Sequence, residues 1–111
     1  MVYHMHLASK PFELIKNGKK VIEMRLNTPD RSHIAIGDKI VFTNQDDGRI
    51  LEVLVLNIQI YPSFKELYAN NDKSLLGYDK DDIADPDDML IYYKQENIDK
   101  YGVLGITIKL I

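Results

Sequence analysis

Lys20, Glu23 and Arg25 stand within six consecutive residues whose other members, Val21, Ile22 and Met24, are apolar. In a strand, alternate side chains point to opposite faces, so Glu23 and Arg25 share one. Lys20 has the opposite parity and joins them only if a bulge, or the turn after Gly18, re-aims it. If the three meet in a cleft, Lys20 and Arg25 offer donors to a phosphate or a base carbonyl, Arg25 with the better fork for a planar group. Glu23 could accept from a base amino group or act as a general base. A carboxylate between two cations holds its proton weakly, which favours binding or orienting over proton uptake at neutral pH. The competing reading is a set of ion pairs on a solvated strand face, which contributes little.

Other groups invite chemistry less strongly. His4 and His6 fall on one strand face, and His33 could complete a metal site. No nearby carboxylate closes such a set, so a polar strand face and no metal are expected. The acidic run 79–88 lacks the central glycine and distal glutamate of a calcium loop and reads as solvated. The chain carries 7 tyrosines, most suited to core or rim packing with the hydroxyl in water. Tyr92 and Tyr93 are the first candidates to stack on a base. Arg31 and Lys39 would extend a basic rim or stand as solvated charges, and Gly102 and Gly105 suit a bend or close packing.

Periodicity supplies the elements that must position these groups. Val2 to Leu7 alternates as a short strand. Residues 11–17 form a helix of about two turns, opened by Pro11 and closed by Gly18. Val21 to Leu26 is a second strand, ended by Asn27-Thr28-Pro29-Asp30. Arg31 to Ile36 is a helical turn or irregular, and a strand Lys39–Thr43 follows. Asp46-Asp47-Gly48 signals a hairpin. Arg49 to Tyr61, apolar on both faces, reads as a central strand, with Ile50, Leu54, Leu56, Ile58 and Ile60 on one side. Pro62 opens a helix carrying Phe64, Leu67 and Tyr68. Residues 69–88 form a long loop with one helical turn, followed by a helix around Met89–Lys94 and a further turn to Lys100. Val103 to Ile111 closes the chain, with Leu104, Ile106, Ile108 and Leu110 facing inward. This order excludes a regular β-α-β layout and favours a mainly β, α+β fold: a curved sheet or small barrel with appended helices.

Composition sets outer bounds. With 111 residues, no internal repeat and no linker, a single domain over 1–111 is expected. The absence of cysteine excludes a disulfide scaffold, a thiolate zinc site and cysteine catalysis, and fits a cytoplasmic protein. No apolar run is long enough for a membrane span, and no leader peptide is evident. The net charge of −3 argues against coating nucleic acid by bulk attraction. Residues 1–50 nevertheless carry 8 Lys+Arg against 6 Asp+Glu, so an anion site belongs in that half.

Gly18, Lys20, Glu23 and Arg25 form a G-x-K-x-x-E-x-R pattern, followed by Gly37-Asp38-x-Ile40-x-Phe42. With His4-Met5-His6-Leu7, Pro11-Phe12, Tyr61-Pro62-Ser63-Phe64, Tyr92-Tyr93 and Tyr101-Gly102-Val103-Leu104-Gly105-Ile106, the chain resembles a stand-alone bacterial or archaeal ASCH-domain protein over essentially its whole length. The resemblance implies a PUA-like pseudo-barrel of five or six strands with helices across its openings. It also implies a cleft, lined by Lys20, Glu23 and Arg25, that contacts RNA or a nucleotide-like small molecule without a cofactor. Arg31, Tyr92 and Tyr93 are the further candidates for ligand contact. Some relatives are hydrolases, including N4-acetylcytidine amidohydrolases, and some are ribonucleases. In the amidohydrolases a threonine nucleophile matches Glu23, with lysine and arginine matching Lys20 and Arg25. A carboxylate there would attack through an anhydride, a poor route. Ser9 and Thr28 lack the spacing to replace it, and Glu66 and Asp72 are the candidates for a later acidic partner. Binding of single-stranded RNA or a modified nucleoside is thus the leading expectation. An amidohydrolase or ribonuclease using Lys20 and Glu23 is the alternative, and a protein-interaction module the second.

Overall fold

Alternating apolar residues and turn chemistry divide residues 1–111, all described by the computed structural model, into β1 (Val2–Leu7), α1 (Ser9–Lys16), β2 (Ile22–Leu26), β3 (Lys39–Asn44), β4 (Ile50–Tyr61), α2 (Phe64–Ala69), α3 (Gln95–Tyr101) and β5 (Val103–Leu110). Two 3-10 helices, Lys73–Leu76 and Pro86–Ile91, lie between α2 and α3. The strands form one sheet in the order β1-β3-β4-β5-β2, parallel between β1 and β3 and antiparallel elsewhere. The sheet curls into a half-barrel with three helices appended, a mainly β arrangement of PUA-like type. Five strands are present, the lower of the two expected numbers.

Two apolar cores use the two sides of this sheet. Met5, Leu7, Ile40, Phe42, Val53, Val55, Leu104, Ile106 and Ile108 pack with Phe12 and Ile15 of α1. Ile22, Met24, Leu26 and Val103 pack against Phe64, Leu67, Leu76, Met89 and Ile98 from the helical segments. β5 therefore feeds both cores through alternate residues. Leu110, expected inward, is 40% exposed because it lies at the end of the strand beyond the core. β4 is central, but it does not present a single even-numbered apolar face. A register shift between Val55 and Asn57 turns Val53 and Val55 inward before it and Ile58 against the same core after it. Ile50, Leu56 and Ile60 are left exposed.

The segments flanking the site depart from the periodicity in instructive ways. α1 begins at Ser9, with Pro11 inside its first turn and no side chain capping its N-terminus at Ala8. The region expected as a loop with one turn holds the first 3-10 helix, capped by Asp72, which accepts from the Ser74 N–H. The helix expected around Met89–Lys94 is instead the second 3-10 helix, started earlier by Pro86 and by Asp85 accepting from the Asp87 N–H. At Gly102, φ is +71° and a Cβ would stand 2.9 Å from the Tyr61 carbonyl oxygen. Only glycine lets the chain leave α3 and enter β5 so close to the end of β4.

Candidate functional site

β2 is one edge of the sheet and β1 the other. Glu23 and Arg25 lie opposite Ile106 and Leu104 across the β2–β5 pair, and so share the face of the first core. Curling brings this edge back towards β1, where Arg25 Nη2 donates to the His6 carbonyl at 2.8 Å. The charged group thus sits in the seam where the two sheet edges approach. Lys20 reaches it from outside the strand. Gly18, at φ +75°, turns the chain after α1, and the Lys19 and Lys20 N–H groups both donate to the Leu14 carbonyl. This turn overcomes the opposite parity of Lys20. Its stem then lies against Gly77, where a Cβ would meet Lys20 Cδ at 3.3 Å.

Glu23 Oε1 lies 3.2 Å from Lys20 Nζ and accepts from the Met24 N–H at 3.1 Å. Its Oε2 accepts from Arg25 Nε at 3.0 Å and Nη2 at 2.8 Å. Lys20 is 8% and Glu23 3% exposed, so these are not solvated surface pairs. Burial pushes the Glu23 carboxyl pKa up, but attraction to Lys20 and then Arg25, with their hydrogen bonds, leaves it below the ordinary value. For Arg25, burial favours loss of the proton, but Glu23 and Tyr93 together outweigh it, so the guanidinium is held charged. Two cations face one carboxylate whose lone pairs are occupied. Arg25 bonds Glu23 and the His6 carbonyl through Nε and Nη2 and has the Tyr93 hydroxyl as a further partner, and Lys20 Nζ has Glu23 as its only partner, so both cations keep at least one donor in reserve.

These donors border a hollow of about 170 Å³. Lys20, Glu23, Arg25, Tyr92 and Tyr93 line it, together with His6, Ala8, Pro11 and Met89. Tyr93 is half-buried and stacked on Phe64, with ring centroids 5.9 Å apart. Burial raises its hydroxyl pKa, partly offset by Arg25, so it stays protonated. Tyr92 is largely exposed, and the uncapped start of α1 adds its positive end to the rim. A second hollow, of about 380 Å³, opens beside the first and shares Pro11, Lys20, Met24, Met89 and Tyr92 with it. Tyr68, Tyr78 and Asp88 line this second hollow and not the first.

Other sequence candidates fall elsewhere. Arg31 does not line the seam hollow but is close enough to Tyr93, which does, to influence that hydroxyl. Lys39 pairs with Glu52 at 3.7 Å between β3 and β4. His6 borders the hollow, but no three metal-ligating side chains gather anywhere. The Ser9 hydroxyl is bonded to Asn44 and Asp46, and Thr28 to Asp30. Glu66 accepts from Ser63, and Asp72 from Ser74; neither borders either hollow. The sequence reading missed Pro11 and Met89 as wall residues. It also missed the Tyr68–Tyr78–Asp88 contacts, which join positions ten residues apart through a fold of short 3-10 segments that leaves no periodic signal.

The family profile of the ASCH domain matches residues 5–111. Among solved structures, the hypothetical protein PH0355 is 34% identical, with all of both chains covered and a TM-score of 0.84. Protein PF0455 from Pyrococcus furiosus is 30% identical over all of this chain and 98% of its own, with a TM-score of 0.73. An S128A mutant of ZmASCH from Zymomonas mobilis is 12% identical, covers 97% of this chain and 67% of its own, and shares the fold at a TM-score of 0.70. No curated protein matches the chain.

Proposed function

The chain belongs to the ASCH domain family, and from that premise we propose that it binds RNA or a nucleotide-like ligand in the hollow at the sheet seam, acting in the cytoplasm. One observation carries this reading: a buried lysine and a partly buried arginine, both with unused donors, border a cavity and are held by a single carboxylate that is fully engaged. Lys20 and Arg25 would meet a phosphate or carbonyl oxygen. Glu23 keeps both cations in place and, holding its proton weakly, acts as an anchor and not as a base. Tyr92, exposed at the rim, offers a ring face for stacking. Binding without turnover fits these roles better than hydrolysis, which would need a free nucleophile or base at Glu23. No helix is long and apolar enough to cross a membrane.

The test is a titration of a short single-stranded RNA at low salt. Lys20→Ala should weaken binding about tenfold or more while leaving the folded state intact by circular dichroism, and Tyr92→Ala should weaken it severalfold. Affinity unchanged in both folded variants would sink the proposal.

A further inference from the structure

At about 170 Å³, the seam hollow falls below the roughly 300–1,000 Å³ usual for small-molecule sites, so it accommodates a group and not a whole nucleotide. Across Lys20 it continues into the larger hollow, whose volume falls within that range. We propose that this larger hollow is a second subsite, which takes an uncharged, amino-bearing heteroaromatic ring joined to the phosphate or carbonyl group held at Lys20 and Arg25. The inference rests on the nucleotide-binding reading and adds the chemistry and orientation of the ligand.

The argument is a count of protons. Tyr78 has one hydroxyl proton and donates it to Asp88 Oδ2 at 2.8 Å. The Tyr68 and Tyr78 hydroxyl oxygens are 2.8 Å apart, so the proton in that contact comes from Tyr68. Tyr68 is left with lone pairs only, and the Asp88 carboxylate likewise only accepts. Asp82, also on this side, is a third acceptor and repels phosphate. Lys20, which only donates, lines the same hollow where it meets the seam. The body of the hollow is apolar, with Leu76, Met24 and Met89 in its walls. A ligand satisfying both ends carries an exocyclic amino group towards Tyr68 and Asp88, and an oxygen acceptor towards Lys20. A ring of the same outline with a carbonyl in place of the amino group would set lone pairs against lone pairs.

Adenosine 5′-monophosphate and inosine 5′-monophosphate differ in that substituent and supply the test. Titrated into the full chain and followed by NMR, the amino nucleotide should bind about tenfold tighter. It should perturb Tyr68, Tyr78 and Asp88 as well as Lys20. Tyr68→Phe removes one acceptor while keeping the Tyr78–Asp88 bond, and Asp88→Asn adds a donor on the same wall. In each the ratio should fall towards one, mainly through loss of the amino nucleotide. Equal affinities in the wild type, perturbations confined to residues 20–25, or a preference that survives both variants would overturn the second subsite while leaving the seam reading intact. Binding of neither nucleotide would overturn both.

Discussion

The two faces of β2 solve opposite problems with neighbouring residues. On one, Ile22, Met24 and Leu26 enter the second core, where close packing is all that is required. On the other, Glu23, joined by Lys20, is buried just as effectively and Arg25 nearly so, but the group consists of charge. Removing charged groups from water is costly unless each finds partners. The charged face meets that condition for Glu23 and only partly for Lys20 and Arg25. An ion-pair cluster serving stability alone would gain from satisfying all three. The shortfall is confined to the cations that border the hollow. That asymmetry separates a face built to hold the fold from one built to hold something else.

Substitutions at adjacent residues test the contrast. Glu23→Ala leaves buried Lys20 and partly buried Arg25 without their counter-charge and should cost about 3–5 kcal/mol in chemical denaturation. Met24→Ala, one residue along on the other face, opens a cavity and should cost about 2–5 kcal/mol. The informative variant is the triple Lys20→Met, Glu23→Leu, Arg25→Met. Exchanging a buried charged set for apolar residues of similar bulk is often neutral or stabilising. This triple should therefore recover most of what Glu23→Ala loses while binding no RNA. A triple variant as unstable as Glu23→Ala would mean that the charges hold the fold, and the contrast between the faces would fail.

A smaller effect is expected at the seam. Arg25→Lys keeps the charge beside Glu23 but loses the fork that also reaches the His6 carbonyl. The cost should be about 1.5–3 kcal/mol, the range for a hydrogen bond involving a charged group. Because that bond joins the two sheet edges, amide exchange should rise in β1 more than in β4. Uniform acceleration across the sheet would show that Arg25 does not clasp the seam.

Much of this arrangement was legible from residue order. The strands, the central place of β4 and the shared face of Glu23 and Arg25 follow from period-two alternation, a local property. Gly18 also announced a turn able to re-aim Lys20. Two kinds of feature left no local trace. The register shift after Val55 is set by pairing with β5, so the apolar residues beyond it change sides without any turn residue to mark the place. The approach of β1 to β2 depends on how far the whole sheet curls, and it alone makes His6 a partner of Arg25 nineteen positions away. Arg31 reaches the site only indirectly: it does not line the hollow but acts on the hydroxyl of Tyr93, which does.

The smallest expected effect concerns acid. Glu23 holds its proton less tightly in the folded chain than at its ordinary value of 4.5. Its ionised form therefore favours folding, with the contribution fully present above about pH 4.5 and lost as the pH falls through the lower folded value. Several carboxylates outside the site, among them Asp38 and Asp47, are shifted the same way, so the acid limb of the wild type reports on many groups at once. Glu23→Gln isolates one of them. It should be less stable at neutral pH, because neither cation keeps its counter-charge, and its stability should fall less steeply below pH 4.5. The difference in slope should approach one proton, about 1.4 kcal/mol per pH unit. The two stability curves should thus converge in acid, where both proteins carry a neutral group between Lys20 and Arg25. Parallel curves down to pH 2.5 would mean that Glu23 is not held ionised by its neighbours, and the anchoring role assigned to it would have to be abandoned.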